Sequence, residues 1–146
     1  MNNIRFLAIV FMIATAVGFV LAQEKEQGGR PISATLTGAA EVPGPGDTDG
    51  AGTFKGTINH GQGQICYELT VSNIATPNAA HIHIGSPTEA GDVVVTLQTP
   101  ADGTAKDCVS VDKDKLQEIL KDPSKYYVNV HNADFSDGAV RGQISK

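Results

Sequence analysis

The chain has 146 residues, with 11 Lys+Arg against 16 Asp+Glu and a formal net charge of −5. That acidic balance, with no basic stripe, excludes the electrostatic footprint of a nucleic-acid binder and argues against docking on anionic lipid. The length fits one domain, large enough for a single core and small enough to gain from a covalent cross-link.

The first residues set the expected address. Met1 to Arg5 carries one positive charge, and Phe6 to Ala22 is an uncharged run of apolar and small residues ending Val20-Leu21-Ala22. This is the layout of a secretory signal at residues 1–22. The run of 17 residues is short for a bilayer-spanning helix, and polar sequence follows it with no stop-transfer pattern. The expected product is secreted, or held in the periplasm or cell envelope, with no membrane insertion after cleavage. Removing residues 1–22 takes away Arg5 and no acid, leaving 10 basic against 16 acidic residues, a net of −6.

Residues 23–30 are polar and aperiodic and read as a flexible leader, with the folded domain over 31–146. From there the pattern is strand and turn. Ile32 to Leu36 alternates apolar and polar, and Gly44 to Gly50 is a dense turn cluster. Thr53 to Asn59 and Ile65 to Val71 alternate on either side of His60-Gly61-Gln62-Gly63, which predicts a β-hairpin. Ala80 to Ile84, Val93 to Leu97 (expected buried) and Lys106 to Val111 are further strands. Asp112 or Asp114 is placed to cap a short helix through Leu116, Ile119 and Leu120, which Asp122-Pro123 ends. Tyr126 to His131 and Ala139 to Ile144 complete about eight strands, joined at the end by Asp134 to Gly138. The expected fold class is all-β: a Greek-key-like antiparallel β-sandwich or barrel with one short helix.

Two cysteines in an exported chain pair more often than not, so Cys66 and Cys108, 42 positions apart, are expected to form a disulfide. Closing such a loop is worth about 4 kcal/mol in the chain-entropy account.

Several stretches together resemble the CHRD (chordin-type) domain family, as a stand-alone member. They are Ala39-Ala40-Glu41-Val42-Pro43, Ala51-Gly52, Cys66-Tyr67-Glu68-Leu69, and Ala80-His81-Ile82-His83-Ile84-Gly85. Asp122 through His131, with Tyr127-Val128-Asn129-Val130-His131, and Gly138-Ala139-Val140-Arg141-Gly142-Gln143-Ile144 complete the set. Asn132 stands where that family usually has Thr, and Ala139 where it often has Glu. The resemblance implies an extracellular or cell-envelope β-sandwich with no established catalytic activity. The strand pattern is also similar, at fold level, to copper–zinc superoxide dismutase, in which a His-x-His strand and a later Val-His supply copper ligands.

The histidines carry the candidate chemistry. Residues two apart in a strand share a face, so His81 and His83 point together while Ala80, Ile82 and Ile84 point to the core. By the same alternation Val128 and Val130 point inward and Tyr127, Asn129 and His131 outward. If the two strands are neighbours, three imidazoles meet on the outer surface of one sheet, with His81 and His83 about 6.6 Å apart at Cα. Imidazole suits copper or zinc. Asp92 or Asp134 is placed to add an oxygen or to hold a ring through its second nitrogen, and Arg141 is the one candidate for an arginine beside the metal. His60, on its hairpin, is expected to be solvated.

The expected function is therefore an exported CHRD-type binding module with a surface copper or zinc site at His81, His83 and His131. Its partner is the metal ion itself, or an extracellular protein or glycan. Two alternatives stand beside it. One is a copper-dependent redox enzyme of dismutase type, which lacks the bridging and zinc-site histidines because Gly85 to Val95 contains none. The other is a structural matrix or surface domain without metal. No Gly-x-Ser-x-Gly elbow, phosphate loop or free cysteine supports hydrolytic or nucleotide chemistry.

Overall fold

The computed structural model describes residues 29–146. The expected signal segment, 1–22, and all but the last two residues of the expected leader, 23–30, lie outside the described residues. Eight strands form one antiparallel sheet: β1 (Arg30–Thr37), β2 (Ala51–Asn59), β3 (Gln64–Ser72), β4 (Pro77–Ile84), β5 (Val93–Leu97), β6 (Thr104–Ser110), β7 (Tyr126–Asn132) and β8 (Val140–Gln143). The order across the sheet is β5-β4-β7-β8-β1-β2-β3-β6. Only β1–β2, β2–β3, β4–β5 and β7–β8 are neighbours in both sequence and space. The links β3 to β4, β5 to β6 and β6 to β7 cross between the two halves.

The sheet curls into a nearly closed barrel. Its two edge strands face each other across a cleft of about 420 Å³ lined by Val94 to Thr96 and Val109 to Asp112. Alternation drives this closure. On β1, β2 and β3 every second residue (Ile32, Leu36, Phe54, Ile58, Ile65, Leu69) is buried. Ile82, Val128 and Val130 meet them from the other half.

The α-helix α1 (Lys113–Lys121) packs Leu116, Ile119 and Leu120 into the same core. Asp112 is its cap: the side chain accepts from the backbone N–H of Asp114 (2.9 Å) and Lys115 (3.3 Å). Asp114 sits in the first turn, where a negative charge complements the helix dipole. Among the described residues no helix is long and apolar enough to cross a membrane.

Cys66 and Cys108 form the expected disulfide. They stand directly opposite one another in the β3–β6 register, so the bond pins an edge strand to its neighbour. Asn132, where the resemblance favours Thr, accepts from the N–H groups of Asp134 (3.1 Å) and Phe135 (2.9 Å) and so shapes the turn into β8.

Two burial expectations fail. Alternation puts Ile84 on the core side and the β-branched run puts Val93 in a buried strand, yet they are 39% and 48% exposed. The β4–β5 register shifts between Ile82 and His83. The shift leaves Val94 as an extra residue at the end of the β4–β5 pair, where Ile84 and Val93 lose cover, while the β4–β7 register and its alternation run unbroken through His83 and Ile84.

Candidate metal-binding site

Strands β4, β7 and β8 lie side by side, and their faces away from the core form one polar layer. The register sets His81 beside Asn129 and Asn129 beside Arg141, with His83 beside Tyr127 and Tyr127 beside Gln143. These side chains all point away from the core, as alternation requires. The expectation of an open outer surface is nevertheless wrong. His83 is only 8% exposed, and Tyr127, Asn129 and Arg141 are buried, while His81 and His131 are half-buried.

Loops cover this layer. Gly85 to Asp92 lies over His83 and Tyr127, Ala133 to Gly138 over His131, and Glu41 reaches Asn129 from the loop after β1. Gly91 comes so close that a Cβ there would lie 1.6 Å from the Ile84 carbonyl oxygen, so only glycine lets this loop settle.

The three imidazoles do come together. Ring centroids are 5.4 Å apart for His81 and His83, 5.2 Å for His81 and His131, and 6.0 Å for His83 and His131. One nitrogen from each lies within 4.8 Å of the others, so the group can hold a metal ion. A tetrahedral ion about 2.1 Å from each nitrogen needs them roughly 3.4 Å apart. His81 Nδ1 and His131 Nε2 are 3.2 Å apart and share a hydrogen bond, which an ion held between the rings would replace. His60 is exposed on the β2–β3 hairpin and is not in the group.

Backbone carbonyls set the tautomers. His83 Nδ1 lies 2.9 Å from the Gly91 oxygen, and His131 Nδ1 lies 2.9 Å from the Ser136 oxygen. A carbonyl only accepts, so each Nδ1 carries the proton and each neutral ring presents a bare lone pair at Nε2. This is the outer support that metal-ligating histidines commonly have. The ring nitrogens that Asp92 and Asp134 were expected to hold are held by backbone instead. Both aspartates are exposed, and Asp92 touches His83 only through its charge.

The environment favours the neutral, ligating form. Burial pushes the His81 imidazole below its ordinary value, and the neighbouring His131 and His83 add to the shift. Burial also lowers His83, helped by His131 and Arg141 and opposed by the Gly91 carbonyl and the Asp92 charge.

Arg141 lies in the layer but not against the histidines. Its guanidinium carbon sits 3.4 Å over the Tyr127 ring, while His83 stacks on that ring at 4.9 Å with a 6° interplanar angle. Two groups of that size cannot share one face of a phenol ring, so Tyr127 stands between arginine and imidazole. Arg141 Nη2 donates to the carbonyls of Ser86 (2.6 Å) and Glu89 (3.0 Å), which ties the covering loop to β8.

Glu41 was not singled out from the sequence, although it lies in one of the stretches that carry the family resemblance. Its carboxylate accepts from Asn129 Nδ2 at 3.1 and 2.9 Å. Burial raises its pKa to about 7, against the lowering effects of Asn129 and Arg141. Gly138, at φ +144°, is where a Cβ would strike the Glu41 carboxylate and the Asn129 amide. Three buried side-chain atoms have no protein hydrogen-bond partner among the described residues: His83 Nε2, Asn129 Oδ1 and Arg141 Nη1. All three belong to this one layer. A buried acceptor left without a donor costs about 1–3 kcal/mol.

Comparison with curated proteins finds no match for this chain. The family model of the CHRD domain matches residues 32–144, from the second turn of alternation in β1 to the last core residue, Ile144. The match takes in β2 to β8, all of β1 but its first two residues, and every residue of the histidine layer, and the chain belongs to the CHRD domain family.

Proposed function

We propose that this chain is an exported metal-binding module that takes up one copper or zinc ion through His81, His83 and His131. The observation that carries the reading is the convergence of three imidazoles, one nitrogen of each within 4.8 Å of the others, with the His83 and His131 rings turned by Nδ1–H bonds to backbone carbonyls. Three borderline nitrogen donors suit zinc and copper above calcium or magnesium, which take oxygen. The Cys66–Cys108 disulfide fits an oxidising compartment and supports export.

Ion binding is favoured over redox turnover. In a dismutase-type centre an arginine beside the metal would draw the anionic substrate in, whereas here Tyr127 separates Arg141 from His83. The test is a titration of the purified protein with Zn(II) and Cu(II) against a competing chelator, with His81→Ala as control. Tight one-to-one binding, lost in the variant, is the expected result. Binding unchanged in the variant, or absent from the wild type, would overturn the proposal. Superoxide decay in the presence of the copper-loaded protein should match that of the buffer.

A further inference from the structure

We infer that Asn129 is the fourth ligand of this centre, its side-chain oxygen completing the sphere that the three imidazoles begin. The inference rests on the metal reading and adds to it. It makes the centre a closed four-coordinate site for a divalent ion, with no open position for a substrate.

Position comes first. Asn129 lies on β7 directly opposite His81 on β4, and two residues before His131 on the same face of the strand. Side chains opposite one another in an antiparallel pair have Cβ atoms about 5 Å apart, and those two apart on one strand rise by about 6.7 Å. Asn129 is therefore a near neighbour of two of the three rings.

Orientation comes second. Asn129 Nδ2 faces both carboxylate oxygens of Glu41. An ionised Glu41 only accepts, so these two hydrogen bonds turn Nδ2, and not the oxygen, toward it. The oxygen is left on the side away from Glu41. Glu41 thereby acts as a positioning residue, as the Gly91 and Ser136 carbonyls do for His83 and His131.

Chemistry comes third. Asn129 is 3% exposed and His83 is 8% exposed, and the atoms without partners are Oδ1 in one and Nε2 in the other. With its Nδ1 protonated, His83 Nε2 is an acceptor, and an amide oxygen is always one. Two acceptors cannot satisfy each other. A cation satisfies both at once, and would take the place of the hydrogen bond that His131 Nε2 shares with His81 Nδ1. Three imidazoles and one neutral amide oxygen make a borderline set that suits Zn(II) or Cu(II) and disfavours Cu(I), which prefers softer donors. The third unpartnered atom, Arg141 Nη1, is a donor on the strand beside Asn129, but no hydrogen bond joins it to Asn129 Oδ1, and Tyr127 keeps it from His83.

The experiment uses the Cu(II)-loaded full chain and pulsed electron paramagnetic resonance in D₂O, which detects a metal-bound exchangeable water. The wild type should show none. Asn129→Leu, similar in size but without the oxygen, should gain a bound water. It should also lose at least the roughly 10- to 100-fold in Zn(II) affinity that removal of a supporting partner costs. The wild-type spectrum needs no variant to fold, so the inference stays exposed to failure even if Asn129→Leu does not. A bound water in the wild type, or unchanged affinity in a folded Asn129→Leu, overturns Asn129 as a ligand and leaves the three-histidine reading standing. Failure of the wild type to bind either metal overturns both.

Discussion

The two halves of the sheet treat their outward faces in opposite ways. On β1, β2, β3 and β6 the outward side chains meet solvent, and Thr35, Thr53, Thr70 and Thr104 form one rank across four strands. Threonine suits a pleated, half-buried surface, and Thr53 and Thr70 pair through their hydroxyls at 2.8 Å. On β4, β7 and β8 the outward side chains are His81, His83, Tyr127, Asn129 and Arg141, and loops lie over them. The backbone geometry is the same in both halves. What differs is the covering. A histidine on an open sheet is a solvated base, whereas one beneath a loop is oriented, partly dehydrated and kept neutral.

Three measurements would break or sharpen this contrast. The largest effect belongs to neither outward face. Phe54 is fully buried and stacks on Tyr67 at 5.4 Å. Phe54→Ala should cost about 3–5 kcal/mol of unfolding free energy. Urea unfolding of metal-free and metal-loaded protein should show the same loss in both. A loss confined to one form would mean that the core and the histidine layer are coupled, and the two faces would no longer be independent.

The next effect comes from the covered half. Unfolded, Glu41 releases its proton near 4.5; folded, it does so near 7. Between those values the folded state holds a proton that the unfolded state has lost, so stability falls as pH rises from about 4.5 to about 7. The whole penalty, on the order of 3 kcal/mol, is present above that window. His81 and His83 act in the opposite sense. Their folded values lie below 6.5, so stability falls as pH falls through and below that value. Glu41→Gln keeps the shape and removes the acid's contribution. Denaturation of the metal-free protein should therefore show the variant gaining on the wild type between pH 5 and pH 8. Parallel stability curves would show that the loop leaves Glu41 in contact with water, and the covered half would then be no more buried than the open one.

The smallest effect belongs to the open half. Thr53→Ala removes one exposed hydroxyl from the rank and should change stability by no more than about 0.5 kcal/mol, with metal affinity unchanged. A thermal melt and the chelator titration measure both. A loss several times larger would give the exposed threonines a role in holding the barrel that the geometry does not assign them.

Much of this protein follows from local pattern. Period-two alternation in Ile32 to Leu36, Thr53 to Asn59 and Ile65 to Val71 sets the strands and the core face, because a strand can turn only every second side chain inward. The same rule places His81 with His83 and turns both away from the core, and the cap at Asp112 starts the helix. Two cysteines and an expected export signal were enough to pair Cys66 with Cys108.

Tertiary structure alone decided the rest. Alternation says which way a side chain points and nothing of what lies above it, so the burial of His83 and Asn129 waited on loops folding back over the strands. Backbone carbonyls carry no residue identity, so Gly91 and Ser136 could not be read as the groups that orient the imidazoles, and carboxylates at Asp92 and Asp134 were the nearest visible substitutes. Glu41 reaches Asn129 across 88 positions of chain. That contact exists because β8 pairs with both β1 and β7 and so joins the halves of the sheet, a pairing set by burial of the whole core and not by any local run of residues.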